Sequence, residues 1–140
     1  MSEQSNVQVV QDAYAAFKRG DLQGILDRCA DDVDWRTFGP DTLRETKPRH
    51  GKEEVQQFFG EVDADWDFTS FEPEQFIAQG DSVVCLGRYA GTSKATGRSF
   101  ASEFAMHFVL KDGKVTRFRE YTDTANMVAA LEVRAARAGA

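Results

Sequence analysis

GRSFASEFAMHFVLKDGKVTRFREYTDT, residues Gly97–Thr124, reads as two long strands meeting at a tight turn over Lys111-Asp112-Gly113. Asp-Gly between two alternating runs is among the stronger short hairpin signals. Strand side chains alternate faces, so position decides function here. On the first strand Ser102, Phe104, Met106 and Phe108 share one face, and Glu103, Ala105, His107 and Val109 share the other. On the return strand Thr116, Phe118 and Glu120 share one face, and Val115, Arg117, Arg119 and Tyr121 share the other. A two-residue loop sets Glu120 beside Ala105, on the His107 face. A three-residue loop with Gly113 in the left-handed region sets it beside Phe104. We favour the second. It gathers Phe104, Met106, Phe108 and Phe118 on one apolar face and leaves Glu120 as a lone carboxylate among aromatics. Such a placement is costly and needs a reason.

Working outward, the strand before this hairpin covers Val83–Thr92, with Val83, Cys85, Gly87 and Tyr89 on one face. A turn at Gln79-Gly80-Asp81-Ser82 separates it from an earlier strand that begins at Trp66 and Phe68 and closes at Phe76-Ile77-Ala78 beyond Pro73. The N-terminal third is helical. Ser5 or Asn6 caps a helix to about Arg19, with Val7, Val10, Tyr14 and Phe17 at helical spacing. Gly20 ends it and Asp21 caps a second helix that buries Leu22, Ile25, Leu26 and Cys29 and stops at Asp31-Asp32. Val33-Asp34-Trp35 follows as a short strand. Residues Arg36 to Gly51 are polar, carry Gly39, Pro40 and Pro48, and read as a loop with a helical turn at Asp41–Arg44. This loop is either a flap over a pocket or a connector. A helix from Lys52 to Val62 turns Val55, Phe58, Phe59 and Val62 inward. Thr122 or Asp123 caps a last helix bearing Met127, Val128 and Leu131. The tail Ala135–Ala140 frays in this reading, and Arg134 and Arg137 suit a helix C-terminus. Helices first and antiparallel strands after argue an α+β fold with helices packed on one sheet face.

The 140 residues fit one domain, 1–140, that buries roughly 70% of the surface its unfolded chain exposes. Eleven Phe, two Trp and three Tyr supply a core or a cavity generously. The net charge of -6 argues against sequence-independent binding to nucleic acid or anionic lipid. Cys29 and Cys85 sit in apolar segments and read as buried free thiols. The N-terminus MSEQSNVQVV carries no secretory pattern and no stretch is long enough to span a bilayer, so a cytoplasmic location is the default expectation. His50 and His107 lack ligand spacing, so no metal is expected, and no Gly-rich phosphate loop or dinucleotide fingerprint is present, so no cofactor is expected.

Four stretches carry a family resemblance: YAAFKRGDLQGILDRCADDVDW from Tyr14, HGKEEVQQFF from His50, AQGDSVVCLGRYAGT from Ala78 and KDGKVTRFREYTDTA from Lys111. Together they resemble the SnoaL-like branch of the NTF2-like superfamily over about residues 7–131. Ketosteroid isomerase and limonene-epoxide hydrolase are related branches. The resemblance implies a curved, mostly antiparallel sheet wrapped around a pocket, closed by N-terminal helices, and homodimers through the outer sheet face. It is poor for activity, because these cones host isomerases, cyclases, hydrolases and plain binding modules. Carried residue by residue, the isomerase's first-helix Tyr falls on Ala13, its general-base Asp on Trp35 with Asp34 facing away, and its second donor on Met106. Steroid isomerisation is therefore not expected. The hydrolase's last-strand Asp falls on Glu120, its other Asp near Tyr89, and its Arg near Gly87 beside Arg88. A His that many SnoaL-like chains carry before the turn is replaced by Met106.

The candidate catalytic residues are Glu120 and Tyr89. In an apolar cavity Glu120 becomes a general acid or base near neutral pH; its bland alternative is an ion pair with a neighbouring arginine. The Tyr89 hydroxyl suits a developing oxyanion, or else marks an amphipathic Tyr at a sheet edge. Trp35, Phe104, Met106, Phe108, Phe118 and Tyr14 are the candidate ligand-lining residues, each also explicable as core. His107 either forms a dyad with Glu120 or lies on the outer face with Arg117 and Arg119, where a dimer contact is its use; we favour the outer face. Asp123 reads as a helix cap. Two functions remain open: a cofactor-independent acid/base enzyme for a small apolar carbonyl- or epoxide-bearing molecule, and a ligand-binding or dimeric interaction domain without catalysis.

Overall fold

A computed structural model describes residues 2–132; the readings on Arg134, Arg137 and Ala135–Ala140 lie outside the described residues. The element order is α1 (Glu3–Lys18), α2 (Leu22–Leu26), β1 (Cys29–Thr37), β2 (Arg49–His50), α3 (Gly51–Asp65), β3 (Trp66–Gln79), β4 (Ser82–Ser93), β5 (Ser99–Lys111), β6 (Lys114–Thr122) and α4 (Thr124–Leu131). The strands form one curved, unclosed sheet in the order β2-β1-β6-β5-β4-β3. Every pairing is antiparallel except β1 with β6. This is the α+β cone that the sequence implied. Among the described residues no helix is long and apolar enough to cross a membrane.

The hairpin reaches the expected faces by another route. Asp112 and Gly113 both have positive φ, 53° and 77°, and Lys111 pairs with Lys114. That is the two-residue geometry an Asp-Gly pair favours. The register then slips, Leu110 opposing Val115 while Val109 opposes Arg117. Thr116 is the extra residue, and its hydroxyl donates to the Val109 carbonyl at 3.1 Å. The bulge restores the parity that a two-residue turn alone reverses. Glu120 consequently opposes Met106, not Phe104, and Phe108 opposes Phe118.

Curvature comes from β3 and β4. β3 slips register between Phe68 and Ser70 and again between Pro73 and Gln75. Pro73 is tolerated because β3 is an edge strand. Across from these bulges stand Gly87 and Gly91. A Cβ at Gly87 would meet the Glu72 carbonyl, and one at Gly91 the Asp67 carbonyl. Only glycine lets the two backbones approach so closely.

Three N-terminal expectations change. Ser2 caps α1 through a reciprocal capping box with Ser5, and Asn6 is instead buried inside the helix. Asp21 caps α2 as expected, accepting from the Gly24 amide. However, α2 is only Leu22–Leu26, and Cys29 opens a strand. Pairing decides this: the Val115 amide donates to the Arg28 carbonyl, and β1 runs beside β6 with an irregularity between Cys29 and Asp34 that absorbs the polar Asp31-Asp32. Tertiary pairing overrides local propensity here. The loop from Arg36 is partly ordered as the end of β1, a single 3₁₀ turn at Arg44–Thr46 and β2. It is clamped on α3, Arg44 gripping Asp65 through two nitrogens at 2.8 and 2.9 Å and Arg49 pairing with Glu61. Leu43, Glu45, Thr46 and Arg49 are buried by that docking. β3 runs unbroken from Trp66 to Gln79, as the sequence led us to expect. Asp123 caps α4 as expected, and both cysteines are buried and free.

Candidate functional site

The concave sheet face and the helices above it enclose a cavity of about 100 Å³. Its walls are aromatic. Trp35 of β1 stacks on Phe118 of β6 at 4.0 Å and 21°, and Phe108 meets Phe118 edge-on at 5.1 Å. Such pairs each add about 0.5–1.5 kcal/mol beyond their burial. α1 contributes Ala13, Tyr14 and Phe17, and the loop after β1 contributes Leu43, Glu45 and Thr46.

Of the eight residues expected at the site, Glu120, Tyr89, Trp35, Met106, Phe108, Phe118 and Tyr14 line this cavity. Phe104 does not. Its ring fills the space that Gly87 leaves open and stacks on Tyr89 at 5.2 Å and 24°. It supports the wall from behind, because the absent side chain at Gly87 leaves room for it there. His107 lies on the opposite face with Arg119 as its strand partner, and its Nε2 is 2.9 Å from the Ser82 hydroxyl. Arg88 also points outward, toward Glu74. Asp34 faces away from the cavity and accepts from Arg119 at 2.9 Å.

Glu120 is buried at 7% exposure, and among the described residues no lysine or arginine pairs with it. Its partners are hydroxyls. Thr37, its neighbour across the parallel pairing, donates to Oε1 at 2.9 Å. Tyr89 donates to Oε2 at 2.6 Å. Burial pushes the Glu120 carboxyl above the ordinary range, and the two hydroxyl donors only partly offset it. Tyr89 sits on β4, an interior strand, so it is no edge residue. Burial, and then the Glu120 charge, raise its phenol well above the usual value. Its oxygen also lies 2.8 Å from the Thr122 hydroxyl, which is 2.7 Å from that of Ser102. Tyr89 has one proton, engaged by Glu120, so Thr122 serves as donor to Tyr89. Tyr14 directs its hydroxyl to the Met106 sulfur at 3.0 Å, and burial raises its phenol too.

Two features were not found by sequence reading. Glu45 lines the same cavity at 5% exposure, with Oε1 accepting from the Trp66 indole at 3.1 Å. Burial raises its carboxyl as well. It sits in a polar loop without periodicity, so no pattern in the sequence marks it as inward. The second is Trp35 Nε1, a buried donor with no partner among the described residues. An unmet donor of this kind costs free energy that a ligand oxygen would recover.

A family model described as the SnoaL-like domain matches residues 10–118. Among solved structures, an NTF2-like protein from Burkholderia xenovorans is 32% identical, covers 94% of this chain and 99% of its own, and superposes with a TM-score of 0.86. An NTF2-like protein of unknown function from Burkholderia pseudomallei is 31% identical over 95% of this chain and 100% of its own, at 0.84. TerC, co-crystallised with polyporic acid, is 27% identical over 92% of this chain and 99% of its own, at 0.81. No curated protein matches the chain. A domain model spanning most of the sequence, and solved relatives above 30% identity along nearly all of it, make this chain a member of the SnoaL-like family with the NTF2-like fold.

Proposed function

We propose that the protein is a cofactor-independent enzyme that moves a proton on, or activates water toward, a small apolar molecule bearing a carbonyl or an epoxide. The single observation that carries this is Glu120, a carboxyl buried in an aromatic cavity with hydroxyl partners and no cationic one. A carboxyl held above its ordinary pKa is a usable base near neutral pH. Thr37 and Tyr89 fix its orientation and steady its anion. Once Glu120 takes a proton, the Tyr89 proton is free to turn to the substrate oxygen that gains charge. The unmet Trp35 donor supports a ligand with an oxygen. The cavity of about 100 Å³ is smaller than the engineered cavity of about 150 Å³ that admits benzene, so the buried part of the substrate is small. TerC, the relative crystallised with polyporic acid, supports a small-molecule role for such a cavity. A homodimer through the outer face of β5 and β6, with His107, Arg117 and Arg119 in the contact, belongs to the same proposal.

The test uses propylene oxide and but-3-enal, each smaller than benzene, as probes. Glu120→Gln keeps size and hydrogen-bond capacity but removes the base. Turnover falls by about 100-fold or more while binding persists. Unchanged turnover overturns the mechanism. Ala13, Trp35 and Met106 at the isomerase positions favour a second reading, a binding module; binding of both probes by the native protein without turnover of either selects it.

A further inference from the structure

The geometry points to the Trp35 indole as the hydrogen-bond donor that holds a ligand in this cavity, and to a neutral molecule with a carbonyl or ether oxygen as that ligand. This rests on the reading above only in that the cavity takes a ligand, and it serves an enzyme and a binding module alike. Trp35 is 5% exposed and lines the cavity, and its Nε1 is buried with no hydrogen-bond partner among the described residues. The cause lies in what surrounds the ring. Phe118 stacks on it at 4.0 Å, and Phe58 and Phe59 of α3 meet it at 5.8 and 5.5 Å between centroids. Three phenyl rings offer an indole N–H no oxygen. Buried polar groups nearly always find a partner, and a donor left unmet forfeits the hydrogen bond it made to water.

The other buried donors of the cavity are engaged. The Thr37 and Tyr89 hydroxyls donate to Glu120, the Trp66 indole to Glu45, the Thr46 hydroxyl to the Leu43 carbonyl and the Tyr14 hydroxyl to the Met106 sulfur. A ligand oxygen that accepts from any of these displaces a bond. One that accepts from Trp35 displaces none. Register sets the indole beside the carboxyl. Trp35 pairs with Phe118 and Thr37 with Glu120, so their backbones stand one same-face step apart, about 6–7 Å along the strands. A carbonyl or ether oxygen carries two lone pairs, so acceptance from the indole leaves one for the Tyr89 hydroxyl. Charge narrows the class. Among the described residues no lysine, arginine or histidine lines the cavity, and its carboxyls are Glu45 and Glu120. A carboxylate or phosphate ligand would be buried beside acids without a cation, so the oxygen belongs to a neutral group.

Cyclobutanone and methylenecyclobutane isolate the oxygen, being alike in shape, equal in heavy-atom count and each smaller than benzene. Protein labelled with ¹⁵N-tryptophan gives two indole N–H signals, from Trp35 and Trp66, and Trp35→Phe identifies its own by removing it. Cyclobutanone moves the Trp35 proton downfield, as an N–H that gains an oxygen acceptor moves, and methylenecyclobutane does not. The Trp66 signal, already on Glu45, holds its place. Trp35→Phe keeps a ring against Phe118 and weakens cyclobutanone relative to methylenecyclobutane by about tenfold. The ratio is compared between the two proteins because a ketone costs more to dehydrate than an alkene. Propanoate, an anion of the same heavy-atom count, leaves both signals in place. A Trp35 proton that lies at the same position with cyclobutanone as with methylenecyclobutane means that the phenyl faces satisfy the indole, and it overturns the inference. So does a ratio unchanged in Trp35→Phe, an equal shift with propanoate, or binding of neither probe. Failure here and failure of the base are distinguishable. A downfield indole with full turnover in Glu120→Gln refutes the acid/base reading alone. An unmoved indole with turnover lost in Glu120→Gln refutes the Trp35 assignment alone.

Discussion

Tyr89 Oη donates to Glu120 Oε2 at 2.6 Å although the whole of β5 lies between their strands. A flat sheet holds next-nearest strands about 9–10 Å apart, so two long side chains must lean toward each other across β5, and the concave curvature of the sheet favours that approach. Tyr89→Phe keeps the ring stacked on Phe104 and removes one anion-stabilising donor. A hydrogen bond to a charged group contributes about 1.5–3 kcal/mol. The expected outcome is a loss of about 10–100-fold in kcat, with the acid limb of the pH profile displaced upward as the Glu120 anion loses support. A limb that stays put assigns the Tyr89 bond no part in setting the base.

The buried carboxyl also ties stability to pH. Burial raises Glu120 in the folded state, so as pH rises the unfolded chain releases this proton first, near the free value of about 4.3. The contribution is fully present below that value and is lost as pH climbs through the raised folded pKa. Each unit of upward shift corresponds to about 1.4 kcal/mol. Glu120→Gln has no proton to lose. Urea unfolding between pH 4 and pH 8 should find it gaining on the native protein as pH increases, while Glu45 leaves a residual slope of the same sign. A variant weaker by a constant amount at every pH would contradict the sign.

The proposed homodimer can be tested on a single surface. The outer face of β5 and β6 presents His107 and Arg117 beside Arg119, and Arg119 is already tied to Asp34 within the chain. Arg117 is therefore the better probe. Sedimentation velocity of the native protein should give a dimer, and Arg117→Glu should weaken it by about tenfold or more. A native monomer removes the dimer from the proposal.

The hairpin was legible because alternation survives a wrong turn, and the cone because the four quoted stretches resemble the SnoaL-like family. Loop length was misread, yet the Thr116 bulge returned Glu120, Met106, Phe108 and Phe118 to one face, since any register that buries the phenylalanines also buries the acid. Gly20-Asp21 was legible because its chemistry is local. β1 was not: Cys29 pairs with Val115 of β6, far along the chain, and nothing near Cys29 signals a strand. Glu45 was hidden for a related reason. Its burial depends on Arg44 and Arg49 docking the loop onto α3, a long-range effect that composition does not encode. Phe104 was placed on the correct face but one layer too far forward, because the gap at Gly87 belongs to the neighbouring strand.

That gap gives the sharpest test of how the cone is bent. A Cβ at Gly87 would stand 2.7 Å from Phe104 Cζ and 3.0 Å from Pro73 Cα, and it would also meet the Glu72 carbonyl. The phenylalanine ring can swing aside, but the β3 backbone cannot move without undoing the bulge at Pro73. Gly87→Ala should therefore cost about 1–3 kcal/mol, in the range of other overpacked sites. It should also slow turnover, because Phe104 is the ring on which Tyr89 stacks. Gly60→Ala is the control. It lies within α3 with nothing within 4 Å of its added Cβ, so alanine there should stabilise by about 0.5–1 kcal/mol through helix propensity alone. Urea midpoints that move in opposite directions for the two variants support curvature set by close backbone approach at Gly87. Equal midpoints for Gly87→Ala and the native protein would mean that β3 and β4 can part without loss, and that the Tyr89–Glu120 contact does not depend on this bend.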